Sequence, residues 1–360
     1  MQPIRILVVD DSAVIRKMLM DVLSADGELS VAATVGGGKL ALARIPELKP
    51  DLVTLDVEMP GMDGIETLVE IRKLYPMLPV IMFSSATGRG AAATVEALAR
   101  GASDYVAKSA SVDSAEKATE HVRQELIPRI KALCAAAVPA TIPERVAPPV
   151  PAPPVPANRA NRIEIVAIGS STGGPNALAE IMPQFPPDFP VPVVIVQHMP
   201  RMFTNLLSDR LNVISKLHVQ ECKGGEKLKR GQVWIAPGDY HMTVSRVAGD
   251  FVLSLNQEPP ENSCRPAVDV LFRSVAQAFG PNSLAVVMTG MGTDGMRGAS
   301  AIREAGGAVL AQDQATSVVW GMPGSVVNAS LADRVCALGD LASEILRRAS
   351  LWRVATSSAS

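Results

Sequence analysis

Ile163-Glu164-Ile165-Val166-Ala167-Ile168-Gly169-Ser170-Ser171-Thr172-Gly173-Gly174-Pro175 passes from a β-branched apolar run, through a turn of glycine and serine, to a proline. The apolar run is what a strand covered on both faces of a parallel sheet requires. Proline suits the first turn of a helix, where the N–H it lacks would have no intrahelical acceptor. The spacing Gly169-x-Ser171-x-Gly173 lets the chain turn sharply and expose the middle serine at the carboxyl end of the strand. Units of strand, turn and helix build doubly wound α/β sheets, and ligands bind where their strands end.

The same alternation extends on both sides of this stretch. Ahead of it, strands are expected at Ile4–Val9, Val31–Val35, Leu52–Leu55, Val80–Phe83 and Asp104–Ala107, with helical segments between them. Val14, Met18, Leu19, Val22 and Leu23 form one apolar helix face. In the second half, strands are expected at Glu164–Ile168, Val193–Val196, Val233–Ala236, Leu284–Met288 and Ala308–Ala311, while Val233 to Leu255 reads more as hairpins than as β-α units. From Val138 to Asn161, eight of 24 residues are proline and five are alanine. Proline fixes φ and lacks an N–H, so this stretch should be an extended spacer. The expected division is a first domain over residues 1–137, a linker over 138–161, a second domain over 162–351 and a tail over 352–360.

Composition bounds the function. With 360 residues there is room for two or three domains, and 48% apolar against 19% charged residues is a globular balance. A formal net charge of -2 offers no electrostatic footprint for nucleic acid. The chain starts almost directly in a strand, without a basic-then-apolar leader, and no apolar run approaches the roughly 20 residues of a membrane helix. Neither membrane insertion nor a nucleic-acid partner is expected. Cys134, Cys222, Cys264 and Cys336 are scattered without a ligand or disulfide pattern, so all four read as structural fillers in a reducing cytoplasm.

At the strand ends of the first half stand Asp10 and Asp11, then Asp56, Ser84 and Lys108. Clustered carboxylates repel unless a cation neutralises them. Hard oxygen ligands of this kind suit Mg²⁺, and a carboxylate beside it can attack a phosphoryl group. Any one of these acids alone reads best as a helix cap or turn residue; all five groups together reverse that. With Leu55-Asp56-Val57-Glu58-Met59-Pro60-Gly61-Met62-Asp63-Gly64 added, residues 1–110 resemble a response-regulator receiver, which implies a flavodoxin-like fold. The resemblance implies Asp56 as phospho-acceptor, Asp10, Asp11 and Asp56 around Mg²⁺, and Ser84 and Lys108 as readers of the phosphate, with Tyr105 at the aromatic switch position. One departure is Ser109, where receivers usually carry proline.

In the second half Ser171 needs a base, and the chain has four histidines. His198 ends the strand Val193-Val194-Ile195-Val196-Gln197 at the same sheet edge and is favoured over His241, which sits in a turn; His121 and His218 read as surface or packing residues. An acid should orient the imidazole, and Asp294 lies in the turn Thr289-Gly290-Met291-Gly292-Thr293-Asp294-Gly295. That turn also matches the dinucleotide fingerprint, with Asp313 beyond it as a ribose acid, so a nicotinamide enzyme competes. Against it, Asp294 would set a carboxylate beside the pyrophosphate, and Ser171 and His198 would have no role. A partner-binding module without catalysis is a further alternative.

The order Ser171, His198, Asp294 is not that of α/β-hydrolases. Gly169-Ser170-Ser171-Thr172-Gly173-Gly174, Gln197-His198-Met199-Pro200, Ala236-Pro237-Gly238, Pro266-Ala267-Val268-Asp269, the Thr289 to Gly295 turn and Gly321-Met322-Pro323 together resemble the CheB-type chemotaxis protein-glutamate methylesterases. That resemblance implies a C-terminal doubly wound, mainly parallel α/β domain with a hairpin region. It implies phosphorylation-activated hydrolysis of glutamate γ-methyl esters on chemoreceptors, with release of methanol and glutamine deamidation. Ser171, His198 and Asp294 would be catalytic, with Met291 N–H as an oxyanion donor and Thr172 beside the histidine. It further implies methylated chemoreceptors as substrate, a chemotaxis histidine kinase as phosphodonor, a monomer, and no cofactor for the ester chemistry. Gly324 after Gly-Met-Pro, where a basic residue is common, and the long linker are departures.

Overall fold

The computed structural model describes residues 2–85, 87–108, 115–137 and 162–357. Ser109 and the linker read at 138–161 lie outside the described residues. The chain divides into two compact units, Met1–Ala135 and Ala136–Ser360.

In the first unit the strands are β1 (Ile4–Val9), β2 (Leu29–Val35), β3 (Leu52–Asp56), β4 (Val80–Ser85) and β5 (Asp104–Lys108). They alternate with α1 (Ala13–Ser24), α2 (Gly38–Leu48), α3 (Gly64–Leu74), α4 (Gly88–Ala99) and α5 (Ala115–Ala137). The strands pair in parallel in the order β2-β1-β3-β4-β5, the flavodoxin-like winding. The order reverses between β1 and β3, so the crevice opens where Asp10 and Asp56 stand. The motif after β3 ends in a reciprocal cap: Asp63 Oδ1 accepts from Glu66 N at 2.8 Å while Glu66 Oε2 accepts from Asp63 N at 3.2 Å. Gly64 is required there, because a Cβ would fall 2.1 Å from the Asp56 carbonyl oxygen.

The second unit holds β6 (Ile165–Ser170), α6 (Gly174–Ile181), β7 (Val193–Gln197), α7 (Arg201–Ile214), β8 (His218–Glu221), β9 (Gln232–Ile235), β10 (His241–Val247) and β11 (Asp250–Asn256). Then come α8 (Val268–Phe279), β12 (Ser283–Val287), α9 (Met296–Glu304), β13 (Ala308–Gln312), α10 (Gly321–Asn328), β14 (Arg334–Cys336) and α11 (Leu338–Ser357). Seven strands form a parallel sheet in the order β14-β13-β12-β6-β7-β9-β8. Every residue of β6 is buried, as its unbroken apolar run requires. The chain winds from β6 outward to β8 and then returns to β12 on the other side of β6. The switch point therefore lies between β6 and β12.

Two expectations change here. The hairpin reading of Val233–Leu255 holds only for β10 and β11, which pair antiparallel as a separate two-stranded sheet; β9 lies in parallel between β7 and β8. The last helix runs on to Ser357, through most of the segment read as a tail. Leu271, Phe272, Val275 and Phe279 of α8 fill the core with Met242, Val244 and Leu253 of the hairpin. Truncating a fully buried aromatic such as Phe272 to alanine should cost about 3–5 kcal/mol. No helix among the described residues is long and apolar enough to cross a membrane.

Candidate active site and phosphoacceptor site

Three strand ends build the site of the second unit. Parallel register sets Val287 of β12 against Gly169, and Ser170 against Gln197 of β7. The ladder continues past the strands: Ser171 N donates to Thr289 O at 3.0 Å and His198 N to Ser170 O at 3.1 Å. The sheet thus draws the serine, histidine and Thr289–Asp294 segments to one edge. Gly290 packs so closely that a Cβ there would lie 2.8 Å from Ser171 Cβ and 2.4 Å from Met322 Sδ. Gln197, buried, braces the edge: its Oε1 accepts from Ser170 Oγ at 2.7 Å and its Nε2 donates to Ser171 O at 2.9 Å.

His198 Nε2 lies 2.7 Å from Asp294 Oδ2. A carboxylate only accepts, so Nε2 carries the proton in this bond. Burial alone would lower the proton affinity of the imidazole, but Asp294 and then Cys264 more than offset it, and it is raised. His198 Nδ1 faces Cys264 Sγ at 3.5 Å. Among the described residues no hydrogen bond joins Ser171 to His198, and Ser171 is half-buried beside them. Asp294 Oδ2 also accepts from Val268 N at 2.7 Å, and Oδ1 accepts from Asn262 Nδ2, Asp269 N and Gly295 N at 2.9, 2.9 and 3.0 Å. Burial would raise this carboxyl, but His198 and the backbone N–H groups hold it below the usual range.

His241 is buried with both ring nitrogens engaged, Nε2 at 3.2 Å from Pro259 O and Nδ1 accepting from Ala267 N at 3.2 Å. His121 Nε2 bonds Ala107 O at 2.8 Å in the first unit, and His218 is exposed against Gln220. Thr172 is buried, and Thr289 Oγ1 donates to its carbonyl at 2.9 Å. Met291 is half-buried, and its N–H meets no acceptor among the described residues.

The dinucleotide reading of the Gly290 turn does not fit. The start of α9 is filled by carboxylates, since Gly295 N lies 2.9 Å from Asp269 Oδ1 and 3.0 Å from Asp294 Oδ1. A pyrophosphate would meet two buried negative charges there. Asp313 closes a local turn instead, accepting from Thr316 N at 3.0 Å. The cysteines also divide: Cys134, Cys222 and Cys336 are buried, whereas Cys264 is half-buried against the imidazole and is no mere filler. Sequence reading gave no role to Asn262, Asp269 or Gln197. The Asp269 and Gln197 motifs marked two of them; nothing in the local pattern marked Asn262.

In the first unit, carboxylate oxygens of Asp10, Asp11 and Asp56 lie within 4.8 Å of one another. Asp10 and Asp56 are buried and Asp11 is exposed. Lys108 Nζ bridges the buried pair at 2.9 Å from Asp10 Oδ2 and 2.9 Å from Asp56 Oδ1. Burial pushes the Asp56 carboxyl up, and the opposing pull of Lys108 does not cancel it. Ser84 is buried with Oγ 2.6 Å from Thr94 Oγ1, and Tyr105 is buried on β5. Oxygen donors this close, with one ammonium between them, fit a small hard divalent cation such as Mg²⁺.

A phosphoacceptor-type carboxylate cluster at one switch point and a serine–histidine–aspartate edge at another define a hydrolase with a receiver. Family models agree: residues 166–345 match the CheB methylesterase model and residues 6–120 the response regulator receiver domain. The chain belongs to the CheB methylesterase family. It is 50% identical over 351 residues to a protein-glutamate methylesterase/protein-glutamine glutaminase of Trichodesmium erythraeum, covering 97% of this chain and 99% of that one. A relative of the same name from Nocardioides is 51% identical over 97% of this chain and 96% of its own length. The Thermotoga maritima CheB methylesterase catalytic domain superposes with a TM-score of 0.51 at 42% identity, covering 51% of this chain and 98% of that domain.

Proposed function

We propose that this chain hydrolyses γ-glutamyl methyl esters on chemoreceptors and deamidates receptor glutamines, that phosphorylation at Asp56 raises this activity, and that it works in the cytoplasm as a monomer. The observation that carries the chemistry is the 2.7 Å pairing of His198 with a buried, low-affinity carboxylate beside the Ser171 turn.

With Asp294 on Nε2, Nδ1 keeps the lone pair that can take the serine's proton, and Cys264 Sγ lies 3.5 Å from it. Ser171 Oγ attacks the ester carbonyl as its proton passes to His198. The N–H of Met291 and the backbone around Thr172 receive the oxyanion. His198 returns the proton to the departing methoxide, the C–O bond breaks, and methanol leaves. Water then attacks the acyl-enzyme with the same histidine as base, freeing glutamate; from a glutamine the first leaving group is ammonia. No cofactor is needed for these steps.

At the receiver, Asp56 attacks the phosphoryl group carried on a histidine of a chemotaxis kinase; the P–N bond breaks, the kinase imidazole leaves and takes up a proton, and an acyl phosphate forms on Asp56. Asp10, Asp11 and Asp56 would hold Mg²⁺, which supplies positive charge for the carboxylates and the phosphoryl oxygens when bound. Lys108 and Ser84 then read the phosphate, and Tyr105 follows the rearrangement. The test is methanol release from methylated receptors: Ser171→Ala should lower kcat by roughly 10⁴-fold or more. Wild-type turnover in that variant would remove Ser171 as nucleophile.

A further inference from the structure

Asp294 and Asp269 are two buried carboxylates that close the start of each other's helix. Asp294 precedes α9, yet it accepts from Val268 N and Asp269 N in the first turn of α8, whose N-cap Ala267 has no side-chain acceptor. Asp269 belongs to α8, yet its Oδ1 accepts from Gly295 N at 2.9 Å and Gly298 N at 2.6 Å at the start of α9, whose N-cap is a glycine. Each carboxylate fills the role its partner helix lacks. Two like charges buried this close repel, and burial has already pushed Asp269 up.

Asn262 bridges the two carboxylates. Its Nδ2 lies 2.9 Å from Asp294 Oδ1 and 3.0 Å from Asp269 Oδ2, so one amide group with two hydrogens serves both carboxylates. The charged groups around the pair are Glu261, matched by Arg273 at 2.5 and 2.8 Å, Arg297 acting on Glu261 from α9, and His198, with the Cys264 thiol beyond it. We propose that Asn262 and Asp269 are positioning residues of the esterase, fixing the angle of the Asp294 carboxylate against His198 and setting the negative charge the imidazole meets. Neither touches substrate; both act through Asp294. The inference rests on the reading of His198 as base.

The test is the pH dependence of kcat/KM for methanol release by the full chain, whose acid limb reports the base. Asp269→Asn keeps an acceptor for the α9 N–H groups but deletes a charge, so the limb should move down by about half a unit to one unit. Asn262→Ala leaves the pair unshielded, so the limb should move up by about half a unit, and kcat should fall roughly tenfold with KM unchanged. The double variant should return toward the wild-type limb. Asn262 is exposed, so its truncation carries the test even if Asp269→Asn does not fold. Unmoved limbs, or shifts of one sign in both variants, overturn the proposal. His198→Gln separates the two readings: wild-type turnover there removes the base itself, whereas an inactive variant with unmoved limbs elsewhere removes only the positioning pair.

Discussion

Asp56 and Asp294 stand at equivalent places in the two units. Each lies at or just beyond the carboxyl end of a strand bordering the switch point, and their exposures are 3% and 2%. Burial pushes both carboxyls up. Yet Asp56 ends above the ordinary range and Asp294 below it. The difference lies in donors. Asp294 takes hydrogen bonds from His198, Asn262 and the N–H groups of Val268, Asp269 and Gly295. Asp56 has Lys108, shared with Asp10, and one long bond of 3.4 Å from Glu58 N. One site is electrostatically finished; the other is short of positive charge. A preorganised carboxylate suits catalysis, where no reorganisation should accompany proton transfer. An underneutralised one suits a residue that must take up a cation and a phosphoryl group.

The sharpest way to break this contrast is to make the same substitution at both. Asp294→Asn should reduce kcat for methanol release by about 10⁴-fold, because the amide favours the wrong imidazole tautomer. Asp56→Asn should leave unphosphorylated turnover within about twofold, while removing all phosphodonor stimulation, since an amide forms no acyl phosphate. A chelator should draw the same line, abolishing phosphorylation and sparing basal turnover. Equal sensitivity of both activities would dissolve the contrast. Among histidines, His198→Gln should cost about 10³-fold or more, against a few-fold for His241→Gln, whose ring nitrogens are both engaged in structural bonds.

The strand ends were legible because parallel strands announce themselves as apolar β-branched runs, and chemistry sits where the runs stop. Asp10, Asp56, Ser171, His198 and Asp294 follow from that rule. What was illegible comes from packing across the sequence. Asn262 reaches Asp294 from 32 residues away, and Cys264 reaches His198 from 66. Strand β14 was missed because Arg334-Val335-Cys336 is short, mixed in polarity, and ordered by its place at the sheet's edge.

A smaller effect sharpens the contrast on the catalytic side. Burial lowers the proton affinity of His198, but Asp294 and then Cys264 raise it by more, so the acid limb of kcat/KM should lie above the ordinary histidine value of about 6.5. Cys264→Ala should lower that limb and speed turnover a few-fold on its acid side. A limb that stays in place would show that the thiol at 3.5 Å is electrostatically silent.

The smallest expected effect is on stability, and its sign separates the two aspartates. Asp294 is depressed in the fold, so its contribution is present above its unfolded value of about 3.8 and is lost as pH falls through the lower folded value. Asp56 is raised, so its contribution is complete below about 3.8 and is lost as pH rises through the folded value. At neutral pH the ionised Asp56 is therefore a net burden on its unit. Asp56→Asn should raise the receiver's melting temperature by a few degrees at about pH 7, and the gain should shrink as pH falls towards 4 and Asp56 itself takes up a proton. Asp294→Asn should lower the melting temperature of its own unit near neutrality, and that loss should also shrink on acidification. Calorimetry across this range reads both. Shifts of the same sign would mean that Lys108 already balances Asp56, and that the receiver crevice is as finished as the esterase edge.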